Sequence, residues 1–182
     1  MTAPALLASI LLALGAPEPG TPVTPPSGPA IAAGDPAPDF QYQAADYRWT
    51  RLADVLARAS VLLVIGAGEA ELRQLQLERD AMLARGVAPI AVVDLADGPA
   101  WSVAQRLGIT FSMLSDPRRD IATAYRLPDS GTGHPRPAWF AIDREGRVRA
   151  RGSEIAGIAS FDRLACEALA PATDTELTAV TK

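Results

Sequence analysis

Hydrophobic and polar positions alternate between two patterns in the middle of the chain. The apolar runs VLLVIGA at 61–67 and APIAVVDL at 88–95 are continuous, which is typical of strands buried on both faces. Between them, residues 69–86 have apolar side chains at helical spacing, an acidic first turn and a closing glycine, and these features predict a helix. The pattern therefore predicts two buried strands joined by a helix.

The remaining pattern predicts shorter elements of both kinds. They are a hairpin at 40–43 and 47–52 with Thr50 capping a helical turn, a helix from Gly98-Pro99 to Gly108, a strand at 110–114, a helix from 116 to 125, a hairpin at 137–143 and 147–152, and a helix at 161–170. This order predicts a layered α/β domain with a partly parallel sheet. We expect strand 61–67 at its centre between 88–94 and 137–143, with helices 69–86 and 117–125 covering its two faces.

The two ends of the chain have different patterns. Residues 4–16 are almost wholly apolar and too short to span a membrane, so 1–16 is predicted to be a signal peptide and the protein to be exported, periplasmic or otherwise extracytoplasmic. The alternative is a cytoplasmic chain with an apolar start. Residues 17–38 contain eight prolines and predict an extended linker, which places the folded domain at 39–170. The tail 171–182 has no apolar period and is predicted to be disordered.

Charge and composition exclude several classes of function. The net charge of −4 leaves no basic surplus for phosphates, which argues against nucleic-acid binding. The single cysteine, Cys166, excludes an internal disulfide, a CxxC pair and a cysteine-based metal site, and no cysteine near residue 16 is available for a lipid anchor. The single histidine, His134, excludes a multi-histidine metal site. We therefore expect neither a cofactor nor a metal.

A dinucleotide-binding βαβ unit is one interpretation of the first strand and helix. Gly66 and Gly68 follow the strand, and Asp94 ends the next strand at about the position of a ribose-binding acid. However, Glu71 occupies the third glycine position, and Glu69 adds a second carboxylate where a pyrophosphate would bind. The interpretation remains an alternative with these two features against it.

A second interpretation covers about 115 residues. The segments GDPAPDFQYQ, VLLVIGA, GVAPIAVVD, LSDPRRDIATAYRL and PAWFAIDREGRV occur in an order that resembles the redoxin branch of the thioredoxin superfamily. The chain is similar to peroxiredoxins of the alkyl hydroperoxide reductase/thiol-specific antioxidant type. This resemblance implies a thioredoxin-like three-layer fold with a central mixed sheet and helices on both faces. It also implies an antioxidant thiol-peroxidase or thiol-disulfide oxidoreductase ancestry.

The chain departs from that family where the chemistry should be. The resemblance implies a peroxidatic cysteine between the first buried strand and its helix, but the residues there are Gly66, Ala67, Gly68 and Glu69, and the loop looks shortened. Pro137 matches the family's cis-proline, so a cis Arg136–Pro137 bond is expected. These six residues form the predicted vestigial site, in which Arg136 would contact an anion or a partner, unless it is a solvated loop arginine.

The sequence leaves three functional hypotheses. The first is a catalytically degenerate redoxin that acts as a binding or accessory module for an unknown protein partner, with a homodimer possible. The second is a thiol-dependent enzyme working through Cys166 or a partner's thiol, although Cys166 is expected to pack inward as a small hydrophobe on the last helix. The third is dinucleotide binding. His134 is expected to be exposed and without a task.

Overall fold

A five-stranded mixed sheet organises the chain in a computed structural model that describes residues 29–43, 49–131 and 134–170. The strands are β1 (Gln41–Gln43), β2 (Trp49–Arg51), β3 (Ser60–Ile65), β4 (Val87–Val93), β5 (Ser112–Ser115), β6 (Ala138–Ile142) and β7 (Val148–Gly152). The helices are α1 (Leu52–Leu56), α2 (Glu69–Ala84), α3 (Asp97–Leu107), α4 (Asp120–Ala124) and α5 (Phe161–Leu169). The large sheet has the order β5-β4-β3-β6-β7, and β1 and β2 form a separate antiparallel pair.

Strand β3 lies at the centre of the sheet, as its apolar pattern predicts. It pairs in parallel with β4 and antiparallel with β6, with Leu63 opposite Ile90 on one side and Phe140 on the other. All residues from Val61 to Ile65 are buried, because helices cover both faces of the strand. The predicted flanking strands are therefore confirmed.

Alternate residues of β3 enter two separate cores. Leu63 packs with residues of α1 and α4 on one face of the sheet, and Leu62 packs with residues of α2, α3 and α5 on the other. Helices 69–84 and 120–124 thus cover opposite faces, as expected. The predicted three-layer α/β fold with a mixed central sheet is confirmed.

The starts of two short helices differ from the sequence prediction. Thr50 belongs to β2 and caps nothing; Arg51 is the N-cap of α1, and its backbone N–H donates to Asp54 at 2.9 Å. Helix α4 begins only at Asp120, because the buried Asp116 carboxylate accepts the N–H groups of Ile121 and Ala122, each at 3.1 Å. Side chains that compete for backbone N–H groups have moved both boundaries.

Part of the predicted linker packs on the fold. Ile31 is buried in the core, and the backbone N–H of Gly34 donates to the carbonyl of Val148 on β7 at 2.7 Å. Arg151 donates to the carbonyl of Ile31 at 2.6 Å, while Arg147 donates to that of Gly34 at 3.0 Å. Residues 29–38 therefore cover the outer edge of β7, which would otherwise expose unpaired backbone groups. The segment does not stand clear of the domain over its whole predicted length of 17–38.

Helix α5 is held against α2 by a shared carboxylate. Glu78 on α2 accepts the hydroxyl of Ser160 at 3.0 Å and the backbone N–H of Asp162 at 2.7 Å. Both donors lie at the start of α5, where the first N–H groups have no partner within the helix and the dipole favours an anion. One side chain thus fixes the position of the last helix.

The predicted signal peptide at 1–16, most of the predicted linker and the predicted tail at 171–182 lie outside the described residues. In the described part of the chain, no helix is long and apolar enough to cross a membrane.

Candidate functional site

The carboxyl ends of β3 and β4 open into a cleft beside the start of α2. The two strands are parallel, so Gly66 after β3 and Asp94 after β4 emerge at the same edge of the sheet. Strand β6 runs antiparallel to β3, which places Pro137 at that edge too. Gly66 has a φ of 77°, and a Cβ atom there would lie 3.3 Å from Cα of Pro137. The position therefore needs glycine both for its backbone conformation and for close packing.

The cleft has a volume of about 470 Å³, enough for a small ligand. Apolar side chains form most of its wall, together with four polar ones. The lining residues are Gly66, Ala67, Gly68, Glu69, Leu72, Val93, Asp94, Leu95, Val103, Ser130, His134, Pro135 and Pro137. Five of the six residues predicted to form the vestigial site are thus brought together.

Glu69 is neutralised from outside the cleft. Arg106 on α3 donates to both carboxylate oxygens, at 2.7 and 2.5 Å, and Arg73 lies 3.9 Å away. The hydrogen bonds from Arg106 hold the pKa of Glu69 below its ordinary value, so this carboxylate stays ionised and paired. The carboxylate next to the N-terminus of α2 therefore adds little net charge to the cleft.

Asp94 holds His134 on the opposite side of the cleft. Nδ1 of His134 lies 2.6 Å from Oδ2 of Asp94, and Nε of Arg119 lies 3.5 Å from the same oxygen. The Asp94 side chain is 20% exposed, whereas that of His134 is 65% exposed. Arg119 has a left-handed backbone with a φ of 61°, which is uncommon for a side chain of its size. The prediction that His134 is exposed is confirmed, but it is not without a contact.

One expectation for the proline turn is wrong. No peptide bond among the described residues is cis, so the Arg136–Pro137 bond is trans. The chain has already turned before this point, because Asp129 pairs with Pro135 and the N–H of Arg136 donates to the carbonyl of Pro128 at 2.9 Å. Arg136 itself is exposed and does not line the cleft, as expected of a solvated loop arginine, and its contact with an anion or a partner stays a prediction.

Cys166 is on α5 and lies near the C-terminal end of α2, away from the cleft. Its Sγ accepts a hydrogen bond of 3.0 Å from Arg85, the C-cap residue of α2, and Arg85 also donates to Asp162 at 2.5 Å. The pKa of Arg85 is raised, chiefly by this hydrogen bond to sulfur. Cys166 is half-buried and its sulfur accepts a hydrogen bond, so it packs inward only in part. At about 1.5 Å per residue, α2 with its 16 residues separates this thiol from the cleft by roughly 24 Å.

Comparison with known proteins decides the family. Residues 33–151, which include both sides of the cleft, match the AhpC/TSA family. The chain belongs to the AhpC/TSA family. No curated protein sequence matches it significantly.

Solved structures give the same fold. The peroxidoxin BcpB from Mycobacterium tuberculosis is 19% identical over 77% of this chain and 95% of its own, with a TM-score of 0.64. A putative thiol:disulfide interchange protein DsbE from Chlorobium tepidum is 23% identical over 67% and 85% of the two chains, with a TM-score of 0.57. Enterococcus faecalis AhpC is 18% identical over 75% and 89%, with a TM-score of 0.61. The thioredoxin-like redoxin fold is thereby confirmed.

This AhpC/TSA chain therefore has a cleft without sulfur and a thiol far from the cleft. Membership in the AhpC/TSA family and the antiparallel pairing of β6 with β3 argue against a dinucleotide-binding βαβ unit. In addition, the Asp94 carboxylate is already paired with His134 and Arg119. Sequence reasoning missed the Asp94–His134 contact, because 39 residues separate the two and each was judged alone. Among the described residues, no cluster of metal-ligating side chains was found.

Proposed function

We propose that this AhpC/TSA-family protein is catalytically degenerate as a thiol peroxidase and uses its cleft as a binding site. The observation that carries the proposal is the composition of the cleft. Its strand-to-helix connection is Gly66-Ala67-Gly68, and residues 61–86 contain no cysteine, serine or threonine that could act as a nucleophile. A redoxin needs a thiolate at this point, and the six predicted vestigial residues cannot supply one.

The shape of the cleft supports a binding role. Leu95 lies at its rim with 38% of its surface exposed, and Val103 and Pro135 add further apolar wall. An apolar pocket with a few polar side chains is the usual form of a ligand or peptide site. The partner is therefore proposed to bind over Leu95, at the carboxyl ends of the parallel strands.

The proposed setting is extracytoplasmic. The apolar segment 4–16 supports export, and the proline-rich residues 17–28 that follow would act as a spacer between that segment and the domain. A homodimer remains a further prediction of this proposal.

Cys166 supports a second candidate function. The guanidinium of Arg85 lies 3.0 Å from its Sγ, and a neighbouring cation generally activates a thiol. Asp162 shares the same guanidinium and offsets part of its charge. A thiol-dependent reaction would then take place on α5, outside the cleft.

Peroxide consumption separates the two candidates. The purified protein, its Cys166→Ser variant and N-acetylcysteine at equal concentration are mixed with hydrogen peroxide or an organic hydroperoxide and followed by stopped flow. The proposal expects the protein to react no faster than N-acetylcysteine, with little contribution to peroxide removal beyond that of an ordinary thiol. Fast consumption that is abolished by Cys166→Ser would overturn it and establish the second candidate.

A paired capture experiment tests the binding role. Leu95→Glu places a charge at the rim of the cleft, whereas Leu77→Glu places the same charge on an exposed position of α2 that does not line it. Partners retained from a periplasmic extract by the wild type should be lost with Leu95→Glu and kept with Leu77→Glu. Equal retention by both variants would contradict a binding site in the cleft.

A further inference from the structure

We propose that Asp94 and His134 form a general-base pair that hydrolyses uncharged carboxylic esters in the cleft. The inference rests on the proposed use of the cleft as a ligand site and adds an activity to it. It concerns acid–base chemistry, so it does not depend on any thiol.

The geometry of the pair defines the role of each nitrogen. Oδ2 of the Asp94 carboxylate lies 2.6 Å from Nδ1 of His134, so Nδ1 carries the proton and donates it in a hydrogen bond. In the neutral imidazole this leaves the lone pair on Nε2, which has no hydrogen-bond partner among the described residues. A carboxylate that fixes the tautomer in this way prepares the other nitrogen to act as a base.

Asp94 is held in place more firmly than the histidine it orients. Its side chain is four-fifths buried at the end of β4, and Arg119 approaches the same oxygen at 3.5 Å. The left-handed backbone of Arg119 is a local strain of the kind that gathers at functional sites. His134, in contrast, is 65% exposed and accessible to water and to a ligand.

The walls of the cleft select the class of substrate. None of the described residues that line the cleft is a lysine or an arginine, and its two carboxylates, Glu69 and Asp94, are already paired, so an anionic ligand such as a phosphate ester has no basic side chain to bind there. Leu72, Leu95 and Val103 provide apolar surface for an acyl or alkyl group. The first backbone N–H groups of α2, which begin at Glu69, lack partners within the helix and can donate to a developing oxyanion. These features together favour a small, uncharged ester.

The reaction needs only water and the ester. Nε2 of His134 removes a proton from a water molecule while the water oxygen bonds to the carbonyl carbon, and the carbonyl electrons move onto oxygen. The tetrahedral intermediate then collapses, the bond from carbon to the alkoxy oxygen breaks, and the leaving group takes the proton from Nε2. The products are a carboxylic acid and an alcohol, and the imidazole returns to its neutral form.

Ester hydrolysis by the full chain tests the activity. p-Nitrophenyl acetate is the probe, and N-acetylhistidine amide at equal concentration is the reference, because any imidazole attacks this ester slowly. Saturable hydrolysis is expected, with kcat falling about 100-fold or more in His134→Gln and about 10-fold or more in Asp94→Asn. Glu167→Gln, an exposed change on α5, should leave it unchanged. Free imidazole should partly restore His134→Gly.

The tautomer provides a readout that is independent of activity. His134 is the only histidine in the chain, so a ¹⁵N spectrum of histidine-labelled protein contains a single imidazole. We expect the proton on Nδ1 at neutral pH in the wild type, and a shift toward the Nε2-protonated form in Asp94→Asn. A wild-type imidazole protonated mainly on Nε2 would overturn the assignment of the base.

Other outcomes separate this inference from the proposed function. Hydrolysis no faster than that of N-acetylhistidine amide, or equal rates in the wild type and Asp94→Asn, would overturn the inference. If the unreactive analogue 4-nitroacetanilide binds and its binding is lost with Leu95→Glu, that failure leaves the binding role intact. If the analogue does not bind and Leu95→Glu retains every partner, the proposed function itself fails.

Discussion

Replacing Gly152 by alanine should destabilise the protein through one side chain. Gly152 pairs with Trp139 across β6 and β7, and the indole lies over the glycine. A Cβ atom at Gly152 would lie 2.6 Å from Cε2 of Trp139 and 2.9 Å from Cζ2, and closer still to Nε1. Carbon atoms prefer a separation of roughly 3.5–4.0 Å, so the indole must move by about 1 Å.

The size of the effect follows from two opposing contributions. Trp139 is half-buried against the core formed by α2 and α5, and displacing a packed side chain in this way costs about 1–3 kcal/mol. Alanine also restricts the unfolded chain, which offsets about 0.4–1 kcal/mol. We therefore expect a net loss of about 1–2 kcal/mol in the free energy of unfolding, or roughly 3–6 °C in Tm for a chain of this size.

Urea unfolding measures this loss, and two further variants test its cause. Gly98→Ala is the matched control, because a Cβ atom at that position in α3 meets nothing within 4 Å; it should be neutral or slightly stabilising. In a Trp139→Leu background, Gly152→Ala should lose most of its effect. A Gly152→Ala protein as stable as the wild type, or an undiminished loss in the Trp139→Leu background, would refute the steric argument.

Three further predictions concern single polar side chains. Glu78→Ala should lower the free energy of unfolding by about 1–3 kcal/mol in urea, because the backbone N–H of Asp162 and the hydroxyl of Ser160 lose a charged acceptor; an unchanged midpoint would contradict this. Burial raises the pKa of Asp116 above its ordinary value of 3.8, so its contribution to the free energy of unfolding is present below pH 3.8 and is lost as the pH rises through the higher folded value. Asp116→Asn should remove this pH dependence of the free energy of unfolding. Curves of stability against pH that run parallel for the wild type and the variant would contradict the prediction. Arg151→Met should speed proteolysis within 29–38, because the carbonyl of Ile31 loses its donor, whereas equal cleavage rates would show that the segment is held by other contacts.

The order of the elements is already contained in the pattern of apolar residues. A strand covered on both faces must be continuous in apolar side chains, as VLLVI in β3 is, and a helix that covers it must repeat its apolar positions every three to four residues. Since these requirements are local, β3, β4 and α2, and the central place of β3 in the sheet, follow from the sequence. The absence of sulfur between β3 and α2 also follows directly from the sequence, because the connecting residues are Gly66-Ala67-Gly68.

The boundaries of short helices depended on contacts that no local pattern encodes. Asp116 delays the start of α4 by accepting two backbone N–H groups. A tertiary contact also decides the proline turn: the Arg136–Pro137 bond is trans, because the chain has already turned where the N–H of Arg136 donates to the carbonyl of Pro128. Residues 29–38 look like a linker because of their prolines, yet backbone groups on the free edge of β7 bind them.

Which polar side chains meet in the cleft was decided by the tertiary structure. Asp94 and His134 are 40 positions apart, and only the parallel pairing of β3 with β4 and the course of the loop before β6 bring Oδ2 within 2.6 Å of Nδ1. Likewise, Cys166 has Arg85 as its neighbour because α5 packs on the far end of α2. Periodicity determines which face of a helix or strand is buried, but it carries no information about which polar residues at the ends of these elements come into contact. Those meetings depend on the order and direction of the strands, which only the assembled sheet contains.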